Sequence, residues 1–171
     1  MALFETIKYK RIKKDKKIEI RQYNDILLAS TKSKINISLD SRFNDVFRYI
    51  SGSNDLSAKI SMTSPVVTYQ EDDLLVTRFY VPSKYTKETI SKPTEKSAFI
   101  NELKNSYYAV IRFSGNWTKD NFDKHDKVLL EYMKLNDYVR LSSRIIMHYQ
   151  PPIIPGIFRH NEIAYQIDYK I

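Results

Sequence analysis

The chain has 171 residues, 42% of them hydrophobic and 28% charged, the balance of an ordinary globular protein with enough apolar side chains for one real core. It contains no cysteine, which excludes disulfides, thiolate ligands and cysteine nucleophiles. No apolar run approaches the ~20 residues of a spanning helix, so no integral membrane association is expected, and the absence of a Gly- or Pro-rich linker points to a single domain over residues 1–171.

The formal net charge is +8, and residues 1–17 supply +5 of it through six Lys and one Arg set against Glu5 and Asp15. A nucleic-acid binder spreads its basic residues over a face with aromatic or amide readers among them, so no nucleic-acid partner is expected. The alternation of Ile7, Tyr9 and Arg11 with Lys8, Lys10 and Ile12 reads instead as an edge strand with a solvated face. Lysines on such a strand discourage sheet-to-sheet aggregation. No apolar segment follows these charges, so the N-terminus does not read as a secretion signal. A cytoplasmic location is therefore expected, with a removed leader left open.

In chain order, two strand-like runs at 17–23 and 26–32 are joined by the turn Asn24-Asp25. A helix follows, with Asp40 or Ser41 available to cap its free N–H groups. Phe43, Val46, Phe47 and Ile50 fall at i, i+3, i+4 and i+7 and form one apolar stripe, and Gly52 sits where the helix exit wants a left-handed residue. The run Val66-Val67-Thr68-Tyr69-Gln70 and a second strand at 74–81 follow, joined through Glu71, Asp72 and Asp73, which suit a tight hairpin. The order then repeats: strands at 97–104 and 107–113 around Asn105-Ser106, and a helix from Thr118 to Asn136 with a stripe through Phe122, His125, Leu129 and Tyr132 or Met133. The run Ile146-Met147-His148-Tyr149-Gln150 and a last strand at 163–169 complete it. A period near 80 residues thus divides the chain into pseudo-repeats at about 6–83 and 95–171, each strand, strand, helix, strand, strand. Eight strands and two helices give an α+β class, and two similar halves favour a cleft for a small molecule.

Lys59-Ile60-Ser61-Met62-Thr63-Ser64-Pro65-Val66 resembles the K-I-x-M-T-x-P-V signature of the SOUL haem-binding family. Glu19-Ile20-Arg21-Gln22-Tyr23 resembles its opening E-x-R-x-Y strand, and Phe79-Tyr80-Val81-Pro82 its second central strand. Arg112-Phe113-Ser114-Gly115 is similar to its R-F-S-G turn, Tyr149-Gln150-Pro151-Pro152 to its Y-x-P-P element, and Arg159-His160-Asn161-Glu162 to its R-x-N-E element. The matches keep family order over roughly residues 6–169. The resemblance implies a distorted antiparallel β-barrel of about eight strands with two helices, built from two ββαββ-like halves. It also implies haem or another tetrapyrrole as cofactor and small-molecule partner, held as by a carrier, buffer or sensor.

The family's contact positions on the first helix fall on Phe43, Phe47 and Arg48, with Val46 and Ile50 beside them. Aromatic rings can cover a porphyrin disc and a cation can pair with its propionates. The same stripe is also what any core-facing helix shows. Some relatives carry a histidine, a proposed axial ligand, where this chain has Gln22, so haem without a strong protein ligand is expected. His125, His148 and His160 read as structural residues, and Met62 as core filler.

Pro65 pushes Ser64 toward extended backbone, Thr63 and Ser64 can satisfy nearby backbone groups, and Asn161-Glu162 can fasten the stiff loop of Pro151, Pro152, Pro155 and Gly156. No phosphate loop, nucleophile elbow or metalloprotease helix is present, and Asp123, His125 and Asp126 read as a solvated helix face. An enzyme is the less expected reading. The alternatives to haem binding are catalysis on a porphyrin-derived pigment in the same cleft, or a module for another apolar ligand or a protein partner. Oligomeric state stays open, with a monomer favoured.

Overall fold

The computed structural model describes residues 4–35 and 39–170, and the side chains of all of these except residues 39–43. The described strands are β1 (Glu5–Thr6), β2 (Lys10–Asp15), β3 (Ile18–Tyr23), β4 (Ile26–Lys34), β5 (Thr63–Ser64), β6 (Val66–Glu71), β7 (Leu74–Tyr80), β8 (Ala98–Leu103), β9 (Ser106–Phe113), β10 (Val139–Arg140), β11 (Ile145–His148) and β12 (Asn161–Asp168). Helix α1 (Leu39–Ile50) separates β4 from β5, and α2 (Lys119–Leu135) separates β9 from β10. The class is α+β, as expected. Each pseudo-repeat keeps its expected order, β3-β4-α1-β6-β7 and then β8-β9-α2-β11-β12.

The chain forms two compact units that do not coincide with the two repeats. One comprises residues 1–7 and 25–103, the other residues 8–24 and 104–171. In the first unit the antiparallel order is β6-β7-β4-β8, and in the second it is β11-β12-β9-β3, extended by β2 on β3. The two orders correspond strand for strand, except that the opening strand of each repeat is paired in the other repeat's unit. Thus β3 lies antiparallel to β9, with Ile20 opposite Ala109, and β8 lies antiparallel to β4, with Ile100 opposite Ala29. The hairpin partner nearest in sequence is not the partner in the sheet.

In the first unit α1 buries Val46, Tyr49 and Ile50 against Ala29, Phe79 and Val81. In the second, Phe122, Leu129 and Met133 of α2 pack on Ile20, Ile111 and Ile163. Each such large side chain removed from water contributes about 1.5–3 kcal/mol. Thr118 caps α2 as expected: its backbone is extended and its hydroxyl accepts from the Asn121 N–H at 3.3 Å. Asn136 closes the helix. Helix α1 begins at Leu39, one or two residues before the expected caps, and Gly52 follows its end at φ +121°.

The turn connecting β9 to α2 requires its glycine. Gly115 has φ +116°, and a Cβ there would meet the Asn121 side-chain nitrogen at 2.7 Å. The acidic run Glu71, Asp72 and Asp73 does form the β6–β7 hairpin, with Asp72 in the left-handed region at φ 52°. The Ser64–Pro65 peptide is cis. Thr63 donates to the Tyr80 carbonyl at 2.5 Å, and the Ser64 carbonyl accepts from the Ile7 N–H at 2.9 Å. The Thr63 side chain thus satisfies a backbone group, as read from the sequence, whereas Ser64 does so here through its own carbonyl.

Candidate functional site

The last turns of α1 divide the expected contact residues between core and solvent. Val46 and Ile50 are buried, and so is Tyr49, whose hydroxyl donates to the Ser91 carbonyl at 2.6 Å. Phe47 is 61% exposed, so it does not share the buried stripe with Val46 and Ile50. The i, i+3, i+4, i+7 template cannot separate Phe47 from Tyr49, and packing selects the tyrosine, which carries a hydroxyl that reaches a carbonyl. Arg48 lies beside Phe47 with its side chain 55% exposed, donating to Asp45 at 2.7 Å. An exposed pair of this kind is screened by water and salt, so Arg48 is available to another anion at little cost. The side chain of Phe43 lies outside the described residues. An exposed aromatic ring next to an exchangeable cation fits a flat apolar disc that carries carboxylates.

The three histidines all belong to the second unit; His125 and His160 are hydrogen-bonded, whereas the His148 Nδ1 is buried with no hydrogen-bond partner among the described residues. His125 stacks on Phe113 with ring centroids 4.2 Å apart, its Nδ1 2.7 Å from the Asn121 carbonyl. His148 is tilted against Trp117 at 4.3 Å, and burial lowers its pKa to about 4. His160 stacks flat on Tyr149 at 3.9 Å and places Nε2 2.7 Å from a Glu162 oxygen. Met62 packs against the core of the first unit, and Gln22 donates to Asn105 at 3.0 Å. Asp123 stays partly exposed on α2, as expected of a solvated face, while Asp126 is largely covered and both are tied down. Arg144 donates to both, at 2.9 and 3.4 Å, and the Tyr165 hydroxyl donates to Asp126 at 2.7 Å.

A group that sequence reasoning did not bring together lies on the sheet face of the second unit away from α2. Glu162, fully buried, accepts from both terminal nitrogens of Arg21, at 2.7 and 2.9 Å, and from the Tyr149 hydroxyl at 2.9 Å. Arg21 also donates to Glu19 at 2.7 Å and to the Tyr23 hydroxyl at 3.2 Å, and its guanidinium lies 4.0 Å from the Tyr9 ring centre. Burial would raise the Glu162 carboxyl, but the hydrogen bonds from His160 and Arg21 outweigh it and hold the group at about 2. Burial also works against the Arg21 charge, and Glu162 and Tyr23 outweigh it and raise Arg21 above its ordinary value. The Tyr149 hydroxyl is raised by burial and by Glu162. The bidentate pair joins residues 141 apart in sequence. Its members stand in the E-x-R-x-Y and R-x-N-E elements, the one signal that could have paired them. Asn161 ties the neighbouring turn instead, donating to the Gly115 carbonyl at 3.1 Å and accepting from the Trp117 indole at 2.8 Å.

Comparison with solved structures shows the fold in proteins of very low identity. The C-terminal domain of EcmrR is 10% identical, covers 94% of this chain and 98% of its own, and superposes with a TM-score of 0.65. A hydrolase from Listeria innocua is 8% identical over 92% and 94% of the two chains, with a TM-score of 0.59. SAV2435, solved bound to tetraphenylphosphonium, is 12% identical over 95% and 94%, with a TM-score of 0.51. No curated protein matches the sequence. The SOUL heme-binding protein family, by contrast, matches residues 4–166. That span holds the signature around Pro65, the Arg21 and Glu162 elements and both helices, and the chain belongs to the SOUL family.

Proposed function

We propose that this protein binds haem or a related tetrapyrrole on the outer side of α1, as a carrier, buffer or sensor. The observation that carries the reading is the exposed Phe47 ring beside Arg48, on a helix whose Val46 and Ile50 anchor it in the core. Phe47 would cover part of the macrocycle, and Arg48 would exchange Asp45 for a propionate. Val46 and Ile50 would hold the helix in place rather than touch the ligand, and Phe43 is proposed as a further contact one turn earlier. Haem when bound supplies its own iron chemistry. The chain contributes apolar cover and charge pairing without a strong axial ligand, since Gln22 stands where some relatives have histidine, His125 and His160 hydrogen-bond within the chain, and His148 is buried against Trp117.

Hemin titrated into the purified protein should give a saturable Soret shift. Phe47→Asp should weaken it about tenfold or more with thermal stability unchanged, because the ring is already in water. Equal affinity in that variant would place the ligand elsewhere, and no saturable shift at micromolar protein would end the haem reading. Single replacements of His125, His148 and His160 should leave the bound spectrum as it is. The second reading is a module for another apolar ligand, which the tetraphenylphosphonium held by SAV2435 brings into the comparison. Saturable binding of that cation with no response to hemin would favour it.

A further inference from the structure

The β2–β3 hairpin of the second unit is shaped by two local irregularities that turn lysines toward a cleft. A bulge between Arg11 and Lys13 shifts the register of β2 against β3. Ile12 and Lys13 both turn to the α2 side, Ile12 onto the core and Lys13 to the Asn136 side-chain oxygen at 3.3 Å. Lys14 therefore stands opposite Glu19 on the other face. Bulges commonly re-aim side chains in this way beside functional sites. At the hairpin tip Lys16 adopts φ 51°, a left-handed conformation in which Gly or Asn is the ordinary choice. Strain of this kind persists where something other than stability selects the residue.

Lys14, Lys16 and Lys17 line a cavity of about 480 Å³ with Arg112 of β9 and Arg159. Its two carboxylates are already committed. Glu19 is taken by Arg21 and Arg11, and Glu162 by Arg21, His160 and Tyr149. The side chains of Lys14, Lys16, Lys17 and Arg112 have no hydrogen-bond or ion-pair partner among the described residues. Protection of an exposed strand edge accounts for Lys10. It does not account for Lys14, which faces the cavity, or for a lysine in a strained turn.

Tyr9, Phe113, Ile157 and Phe158 give the cavity an apolar side, beside the polar Ser114, Gln150 and His160. Ile157 and Phe158 are 73% and 70% exposed, and the loop that presents them is braced by hydrogen bonds. Arg159 donates to the Ile154 and Pro152 carbonyls at 2.7 and 2.6 Å. The Gly115 N–H donates to the Gly156 carbonyl at 2.8 Å, and a Cβ on Gly156 would collide with the Asn116 side chain. Large apolar side chains held in water by a braced loop, facing unpaired cations, mark a recognition surface.

We propose that this cleft binds a small organic polyanion, a molecule with an apolar or aromatic body and two or more phosphate or carboxylate groups. The lysines and Arg112 take the charges, and Ile157, Phe158 and Tyr9 cover the body. The site lies wholly in the second unit and is independent of the reading given for α1. Trp117, the sole tryptophan, has the Arg159 guanidinium 4.7 Å from its ring centre, so its emission reports occupancy. ATP, inorganic pyrophosphate and citrate titrated against Trp117 emission and by calorimetry test the proposal. ATP is expected to bind saturably, more tightly than pyrophosphate, and less tightly as salt rises. Citrate binding as well as ATP would show that the site accepts carboxylates and phosphates alike, and citrate failing while ATP binds would assign phosphates; either supports the site.

Lys16→Gly removes one charge and the strained conformation together. Its thermal midpoint should stay or rise while ATP affinity falls about fivefold, a combination that misfolding cannot mimic. Lys14→Ala should weaken ATP similarly. The joint replacement of Ile157 and Phe158 by Ser should abolish the preference for ATP over pyrophosphate. The proposal is overturned if none of the three probes binds saturably below millimolar, or if both lysine variants bind as the unaltered chain does. It is overturned equally if the protein sediments only with vesicles of equal phosphatidylcholine and phosphatidylserine and ignores every soluble probe.

Discussion

The two units share one strand order but differ on one face of the sheet. Aligning them through their registers places Ala29 with Ile111, Phe79 with Ile163 and Ile100 with Ile18, all apolar and all in the helix-side cores. On the opposite face the same alignment sets Asn101 against Glu19, Leu103 against Arg21, Ser30 against Arg112 and Arg78 against Glu162. The helix side is therefore constrained to apolar character in both units, because packing against a helix leaves no alternative. The other face has diverged: at these positions the first unit is neutral apart from Arg78, which lies over the Tyr69 ring at 4.2 Å, and the second holds a buried ion pair and a basic cleft.

The most severe way to break this contrast is to give the second unit the residue of the first. Arg21→Leu leaves Glu162 buried without its bidentate partner, and breaking one side of such a pair costs about 3–5 kcal/mol. Urea unfolding at neutral pH should show that loss, and adding Glu162→Gln should restore most of it, since no charge then remains buried. A double variant no more stable than the single one would show that the pair itself, rather than its unpaired remnant, holds the unit. The pair also sets an acid limit. Glu162 is held below its unfolded value, so its contribution is present above about pH 4.5 and lost as pH falls toward about 2. In Arg21→Leu that window should shrink.

A smaller effect separates Thr68 from His148, which occupy matching positions opposite Thr77 and Asn161. The fold keeps His148 neutral down to about pH 4, whereas the unfolded chain takes up the proton near its ordinary value of 6.5. Above pH 6.5 the two states bind equally and stability does not slope. Between 6.5 and 4 only the unfolded state gains the proton, so stability falls as pH falls, by an amount on the order of 3 kcal/mol. His148→Thr should flatten the unfolding free energy over that interval, measured by denaturation at a series of pH values. An unchanged slope would assign the acid sensitivity to other groups.

What the sequence made legible follows from how local each feature is. Thr118, Asn136 and Gly52 act within a turn of where they stand, so the ends of α2 and the exit of α1 could be read directly. The ββαββ repeat was legible because Tyr69 and Tyr149 sit in matching pentamers. The pairing of β3 with β9 was not, since strand alternation carries no label for a partner some 90 residues away. Phe47 was placed in the stripe because helical periodicity cannot distinguish neighbouring positions at its boundary, and the hydroxyl of Tyr49 decided the matter through Ser91. The basic N-terminal run was read as an edge strand, which β2 is. Its bulge at Ile12 and Lys13 breaks the alternation on which any reading of its faces depended.

The gentlest test asks whether the two units respond as separate bodies. Thr118 caps α2, and the same end is pinned by Asn121, whose side chain donates to the Ser114 and Asn116 carbonyls at 3.2 and 3.0 Å. Thr118→Ala removes one acceptor for an otherwise orphaned N–H and should cost about 1 kcal/mol. The Asn121 bonds stay in place, so the turn that borders the basic cleft keeps its shape and ATP affinity should be unchanged. Amide hydrogen exchange locates the loss. If the units open independently, protection should fall across α2 and the β9 and β12 amides beneath it, while α1 and β4 keep theirs. A uniform loss in both helices would instead mean that one global unfolding step governs the chain, and that the divergence between the two faces rests on a single cooperative frame.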